Sequence, residues 1–148
     1  MNKKLIIFDM DGTIYLGANL IDGALETFDY LKKNNKAFQV YFDATAPHKL
    51  KKEDVKLYEQ LLKKEPEHFR QIPAGTRADD FLLMLATDNK KALILTQDRF
   101  RDHVDKFPWL KTQKRVFPGM VMNKMIYFPD ISLKIPVQQT ENHSCYCL

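Results

Sequence analysis

Leu5-Ile6-Ile7-Phe8-Asp9 is an apolar run that ends on a carboxylate, and its reading decides the fold. The run from Lys3 to Phe8 is short, rich in branched and aromatic side chains, and followed by the turn residues Asp11-Gly12-Thr13. That pattern predicts a strand buried on both faces, as in a parallel sheet. A charge placed directly after such a strand has little structural use, which makes Asp9 a functional candidate.

The same signature recurs along the chain. Ala24, Leu25, Phe28 and Leu31 repeat at spacings of three and four, predicting a helix over 22–33 that Asn34-Asn35 end. Ala37 to Phe42 is a second strand, and it too runs into an aspartate, Asp43. Pro47 to Lys52 reads as a basic loop and Glu53 to Lys64 as a helix. Phe69 to Ile72 is a short strand, and Thr76 is placed to cap a helix through Thr87, with Asp79 and Asp80 in its first turn. Ala92 to Thr96 is a further strand, followed at once by Gln97-Asp98. Arg99 to Phe107 reads as a helix stopped by Pro108. Arg115 to Phe117 and Met125 to Phe128 read as late strands around the Pro118-Gly119 turn.

Strand and helix alternate over most of the chain, which predicts a single three-layer α/β domain of Rossmann-like (PIN-like) type with a mostly parallel sheet. The domain is expected to span residues 1–134, with 1–37 as its first βα unit and 135–148 as a loose tail. In such sheets sites form beyond the carboxyl ends of the strands.

The bulk properties agree. The chain has 148 residues, enough for one domain with a substantial core. Its 45% hydrophobic and 28% charged residues fit neither a disordered nor a membrane-spanning class. The apolar run at the start is too short for a secretory leader. A net charge of +4 permits a polyanionic partner, though scattered solvated lysines explain it equally well. Cys145 and Cys147, near the C-terminus, cannot staple the core, which points to a reducing, cytoplasmic setting. A homodimer is compatible with this reading. His48, His68, His103 and His143 have no metal-ligand spacing, and Trp109 reads as a packing anchor.

Asp9, Asp43 and Asp98 each follow a strand, and Asp79 and Asp80 open a helix at the same sheet edge. Carboxylates gathered this closely repel one another unless a cation sits among them. Hard divalent cations take oxygen ligands, so Mg²⁺ or Mn²⁺ is the expected cofactor. Each carboxylate also has a plainer reading. Asp11 and Asp43 suit turns, Asp79 suits the helix dipole, and Asp102 can pair with Arg99 on a solvated face. Asp9, Asp80 and Asp98 are the strongest candidates.

Two family resemblances emerge from these residues. The stretch Leu5 to Gly17, with Asp9-Met10-Asp11-Gly12-Thr13 after a strand, resembles the first motif of haloacid dehalogenase superfamily phosphatases, over about residues 1–37. That resemblance implies Asp9 as a nucleophile that becomes phosphorylated and Asp11 as general acid/base. It places Asp98 to Asp102 as the acidic fourth motif and Thr96 as the second, while no third-motif lysine stands out. Residues 38–130 are similar to the NYN branch of PIN-like ribonucleases, through Val40-Tyr41-Phe42-Asp43, Pro73 to Asp80 and Leu93 to Asp102. That similarity implies a metal held by Asp9, Asp80 and Asp98, with Asp79, Asp102 and Asp11 in support. Ile14 stands where that family has an asparagine.

The expectation that follows is a metal-dependent ribonuclease. An activated water would cleave single-stranded RNA, and Lys49, Lys51, Lys52, Arg77, Arg99 and Arg101 would hold the phosphate backbone. The alternative is a haloacid dehalogenase-type phosphatase. A third reading is a chimera of the two, natural or designed, with turnover impaired.

Overall fold

The computed structural model describes residues 4–10, 13–16, 18–20, 23–118, 120–122, 125–128 and 133–136. Its centre is a five-stranded parallel sheet built from β1 (Leu5–Asp9), β4 (Ala37–Phe42), β5 (Phe69–Gln71), β6 (Ala92–Leu95) and β7 (Val116–Phe117). The spatial order is β5-β4-β1-β6-β7. β1 therefore sits in the middle, paired in parallel with β4 on one side and β6 on the other. The chain leaves β1 toward β4 and later returns to place β6 against its other edge. That reversal of direction opens a crevice at the carboxyl ends of β1, β4 and β6.

Helices cover both faces, as the alternating pattern predicts. Successive strand residues point to opposite sides, so the core divides in two. Ile6, Phe8, Phe38, Val40, Phe42 and Leu95 face α1 (Ala24–Lys33) and α3 (Lys52–Lys64). Ile7, Tyr41 and Ile94 face α4 (Ala78–Asp88). The first face is strongly aromatic. Phe28 meets Phe8 edge-on at 5.5 Å and stacks on Phe38 at 5.7 Å, and Phe38 stacks on His68 at 4.2 Å.

β2 (Tyr15–Leu16) and β3 (Asn19–Leu20) form a small antiparallel pair after β1. β8 (Met120–Met122), β9 (Met125–Phe128) and β10 (Leu133–Pro136) form a separate antiparallel sheet. β10 takes in Ile135 and Pro136, so regular structure extends into the segment expected to be a loose tail. The rest of that tail, with Cys145 and Cys147, lies outside the described residues.

Three local expectations change. The basic loop at 47–52 contains a short helix, α2 (Ala46–Lys49), with Pro47 in its first turn, where the missing N–H costs nothing. Thr76 does not cap α4. Arg77 occupies that position, and no side chain caps the helix. The helix expected over 99–107 is reduced to a single 3-10 turn, Arg101–His103. The reason is local. Phe100 N–H donates to Asp98 Oδ1 at 2.7 Å, and Phe100 takes a left-handed φ of 51°. A helix cannot propagate through such a residue.

Pro108 then opens α5 (Trp109–Thr112). Trp109 is the packing anchor expected of it. Its Nε1–H donates to Thr87 Oγ1 at 2.9 Å, and the Arg115 guanidinium lies 4.1 Å from its ring centre. Arg115 is buried, and its Nη1 donates to the carbonyl oxygens of Ala86 (2.6 Å), Asn89 (3.2 Å) and Ala92 (3.4 Å). A cation at these carbonyls suits the C-terminal end of α4. Among the described residues no helix is long and apolar enough to cross a membrane.

Candidate active site

The crevice beyond β1, β4 and β6 is a cleft of about 430 Å³ lined by Asp9, Met10, Asp43, Lys49, Ala78, Asp79, Thr96 and Asp98. Among the described residues four carboxylates and one ammonium line it. The carboxylates are set there by strand ends and by the start of α4, and Lys49 by the end of α2.

Asp9 is the last residue of β1 and is held from two directions. Met10 N–H donates to its Oδ1 at 2.8 Å. The hydroxyl of Thr96, just past β6, donates to its Oδ2 at 2.9 Å. Thr96 is buried, and its oxygen also accepts the Asp98 N–H at 3.1 Å. One hydroxyl therefore ties the ends of two neighbouring strands, with Asp9 on one side and Asp98 on the other. The resemblance that placed Thr96 as a second motif missed this contact. It follows from the β1–β6 register, in which Phe8 lies beside Leu95.

Asp43 follows β4. Its Oδ1 accepts from the Thr45 N–H at 2.8 Å and from the Thr45 hydroxyl at 2.9 Å. The Thr45 backbone N–H holds its carboxyl below the usual carboxylate range, aided by the Thr45 hydroxyl and by nearby Lys49, against a partial burial that acts the other way. Asp43 is thus both a turn-former and a cleft residue.

Asp79 lines the cleft from α4, but Asp80 does not. Asp80 Oδ1 lies 3.3 Å from His103 Nδ1, and its Oδ2 lies 3.2 Å from Lys106 Nζ. The other ring nitrogen of His103, Nε2, lies 3.4 Å from Asp79 Oδ2. His103 therefore bridges the two acids and fastens the start of α4 to the 3-10 turn. No ligand spacing in the sequence points to this role, because His103 and the acids are 23 or more residues apart.

Lys106 holds the Asp80 carboxyl below its ordinary range, with His103 and Arg77 adding to the effect. A depressed folded value stabilises the fold above the unfolded value of about 3.9 and loses that contribution as pH falls. Asp80→Asn is therefore expected to lower the melting temperature at pH 7. Thermal melts from pH 7 down to pH 3 should show the gap to wild type closing as the carboxyl protonates.

The remaining candidates lie apart. Asp102 is exposed on the 3-10 turn and does not line the cleft. Asp11 lies outside the described residues. Of the six expected cations, Lys49 faces the cleft and Arg99 faces a second hollow. Lys51, Lys52, Arg77 and Arg101 are exposed and line neither.

The donor chemistry of the cleft suits a hard cation. Asp9 and Asp98 present carboxylate oxygens at adjacent strand ends, and Mg²⁺ needs only one or two carboxylates beside its waters. Among the described residues no group of three or more His, Cys, Asp or Glu side chains is placed to hold a metal ion.

Residues 6–107 match the family of haloacid dehalogenase-like hydrolases. The chain belongs to that family. The match runs through 38–107, so the haloacid dehalogenase likeness extends far beyond the first 37 residues. Nothing supports the NYN ribonuclease similarity over the same stretch. No curated protein matches the chain. Asp9 ends the central strand of the matched domain. Thr96 and Asp98 stand beside it, just past the end of the neighbouring strand β6.

Proposed function

We propose that the protein is a phosphatase that cleaves phosphate monoesters through Asp9. The observation that carries this is the setting of Asp9. It ends the central strand of a haloacid dehalogenase-like domain, faces the cleft, and is held on both oxygens by Met10 N–H and the Thr96 hydroxyl.

An oxygen of Asp9 forms a bond to phosphorus as the ester P–O bond breaks. The leaving oxygen takes a proton from Asp11, the general acid that the first motif implies. Water then gives a proton to the Asp11 carboxylate and attacks phosphorus. The bond to Asp9 breaks, phosphate departs, and both aspartates return to their starting states. Such two-step covalent routes replace one difficult displacement by two easier ones.

Among the described residues the cleft has four carboxylates and one lysine, a balance that would repel a phosphate dianion. A Mg²⁺ on Asp9 and Asp98 would neutralise charge on the phosphoryl oxygens when bound. Lys49 supplies the cation that the third motif requires, from the short helix after β4, where no motif spacing reveals it. Thr96 keeps the Asp9 carboxylate aimed, and the buried methyl and hydroxyl leave it one arrangement.

Thr96→Val tests this arrangement, because it keeps the shape and removes the hydroxyl. It leaves Asp9 Oδ2 without that donor and the Asp98 N–H without that acceptor, at a cost to stability of about 1–3 kcal/mol. Turnover of p-nitrophenyl phosphate with Mg²⁺ is expected to fall roughly 10- to 100-fold, mostly in kcat. A variant as active as wild type would remove Thr96 from the account. Cleavage of single-stranded RNA by the wild type, with no turnover across a panel of phosphate monoesters, would reject the phosphatase reading itself.

A further inference from the structure

Two walls of the cleft come from different parts of the chain. Asp79 lines it from the start of α4, and Asp98 lines it from the stretch after β6. That stretch, residues 96–100, forms neither helix nor strand. A carboxylate on such a segment keeps a fixed place only if the segment is fastened to something rigid.

The fastening runs through His103. Phe100 N–H donates to Asp98 Oδ1 at 2.7 Å, and the Phe100 ring is buried in the core cluster that includes Ile7, Leu82 and Leu83. The His103 ring stands edge-on to the Phe100 ring, at 76° with 6.0 Å between centres. The His103 N–H donates to the Phe100 carbonyl oxygen at 3.0 Å, which closes the turn between them. The nitrogens of the same ring meet α4, Nε2 at 3.4 Å from Asp79 Oδ2 and Nδ1 at 3.3 Å from Asp80 Oδ1. The His103 side chain is only 11% exposed, so the ring is held on both sides. A continuous path of contacts thus joins the Asp98 carboxylate to Asp79 across the two rings. Lys106 provides a contrast. It also meets Asp80, at 3.2 Å, but its side chain is 61% exposed and lies off this path.

We propose that His103 is a positioning residue for the divalent ion. It holds the segment that carries Asp98 against the start of α4, and so fixes the Asp98 carboxylate beside Asp9. This inference rests on the reading that the ion sits on Asp9 and Asp98. Ligands held in place lose less freedom when the ion arrives, and removing the groups that support them weakens metal sites by about 10- to 100-fold.

The test is a calorimetric titration of Mn²⁺ into wild type, His103→Phe and Lys106→Met at one pH and ionic strength, with a thermal melt of each. His103→Phe keeps a ring against Phe100 and removes both nitrogens. Lys106→Met takes a partner from Asp80 and leaves the path intact. Mn²⁺ is expected to bind His103→Phe at least about tenfold more weakly than wild type. Lys106→Met should stay within about twofold, since an exposed ion pair contributes little. Turnover of p-nitrophenyl phosphate should divide the same way, with the half-saturating Mn²⁺ concentration raised in His103→Phe and kcat at saturating ion retained. Electrostatics alone gives the opposite sign, because taking a cation away from an acidic cleft tightens cation binding.

Wild-type affinity in His103→Phe overturns the proposal. An equal loss in Lys106→Met also overturns it, by assigning the effect to Asp80 and the anchoring of α4. If His103→Phe shows no cooperative melt, His103→Gln, which keeps a hydrogen-bonding end for one of the acids, decides in its place. Weaker Mn²⁺ binding by that variant supports the proposal, and wild-type binding overturns it. A wild type that binds no Mn²⁺ overturns the ion reading and the proposal with it. Mn²⁺ binding without turnover of any phosphate monoester rejects the phosphatase reading alone, and the affinities still decide the role of His103.

Discussion

Asp9→Asn is expected to lower turnover of p-nitrophenyl phosphate by about 10³- to 10⁵-fold, the loss typical of removing a nucleophile. An amide oxygen in place of the carboxylate cannot form and release the phosphoryl bond. The fold should survive. Asn keeps an oxygen that can accept the Met10 N–H, and the flanking core residues Ile7 and Phe8 are unchanged. A thermal melt separates the two effects, since loss of activity without loss of the cooperative transition assigns the defect to chemistry. Equal turnover by variant and wild type would mean that Asp9 does not form the bond.

The second large effect is structural. Phe38 lies on β4 with 1% of its surface exposed, between Phe28 at 5.7 Å and the His68 ring at 4.2 Å. Phe38→Ala removes a ring from a cluster that also includes Phe8 and Phe69. The cost is about 3–5 kcal/mol, from lost burial and the cavity left behind. For a domain of this size the melting temperature should fall by roughly 10 °C or more. Calorimetry checks this, and a shift of only a degree or two would mean that the aromatic face is not the core's centre. The damage would also reach the cleft, because β4 carries Asp43 and pairs with β1 along its length.

The parts of the fold that are legible in the sequence are those set by local pattern. β1, β4 and β6 are apolar runs bounded by aspartate or threonine, and the helix over 52–64 repeats its apolar side at helical spacing. Their order along the chain, with helices between, implies a parallel sheet and hence a site at its carboxyl edge. What could not be read depends on contacts between distant residues or on one unusual torsion. The left-handed Phe100 breaks a helix that its neighbours would otherwise favour. The sequence ranks Asp80 above Asp79, yet successive helical residues point about 100° apart, and it is Asp79 that faces the cleft while Asp80 meets Lys106. The bond from Thr96 to Asp9 spans 87 residues and exists only because β6 lies against β1.

The competing nuclease likeness has a physical origin. Both resemblances rest on acids at the carboxyl ends of parallel strands, and such acids arise wherever a cation is held at that edge. Motif strings there report the edge before they report the reaction. The family match over 6–107 decides between them for the family, and the setting of Asp9 carries the reading to phosphate transfer.

The most direct test of that step is chemical trapping of the bond to Asp9. The wild-type protein is mixed with p-nitrophenyl phosphate and Mg²⁺, quenched during turnover, and treated with borohydride, which reduces an aspartyl phosphate to homoserine. Peptide mass spectrometry is expected to find homoserine at position 9 only when substrate is present. Steady hydrolysis with an unmodified Asp9, or homoserine at a different aspartate, would contradict the account.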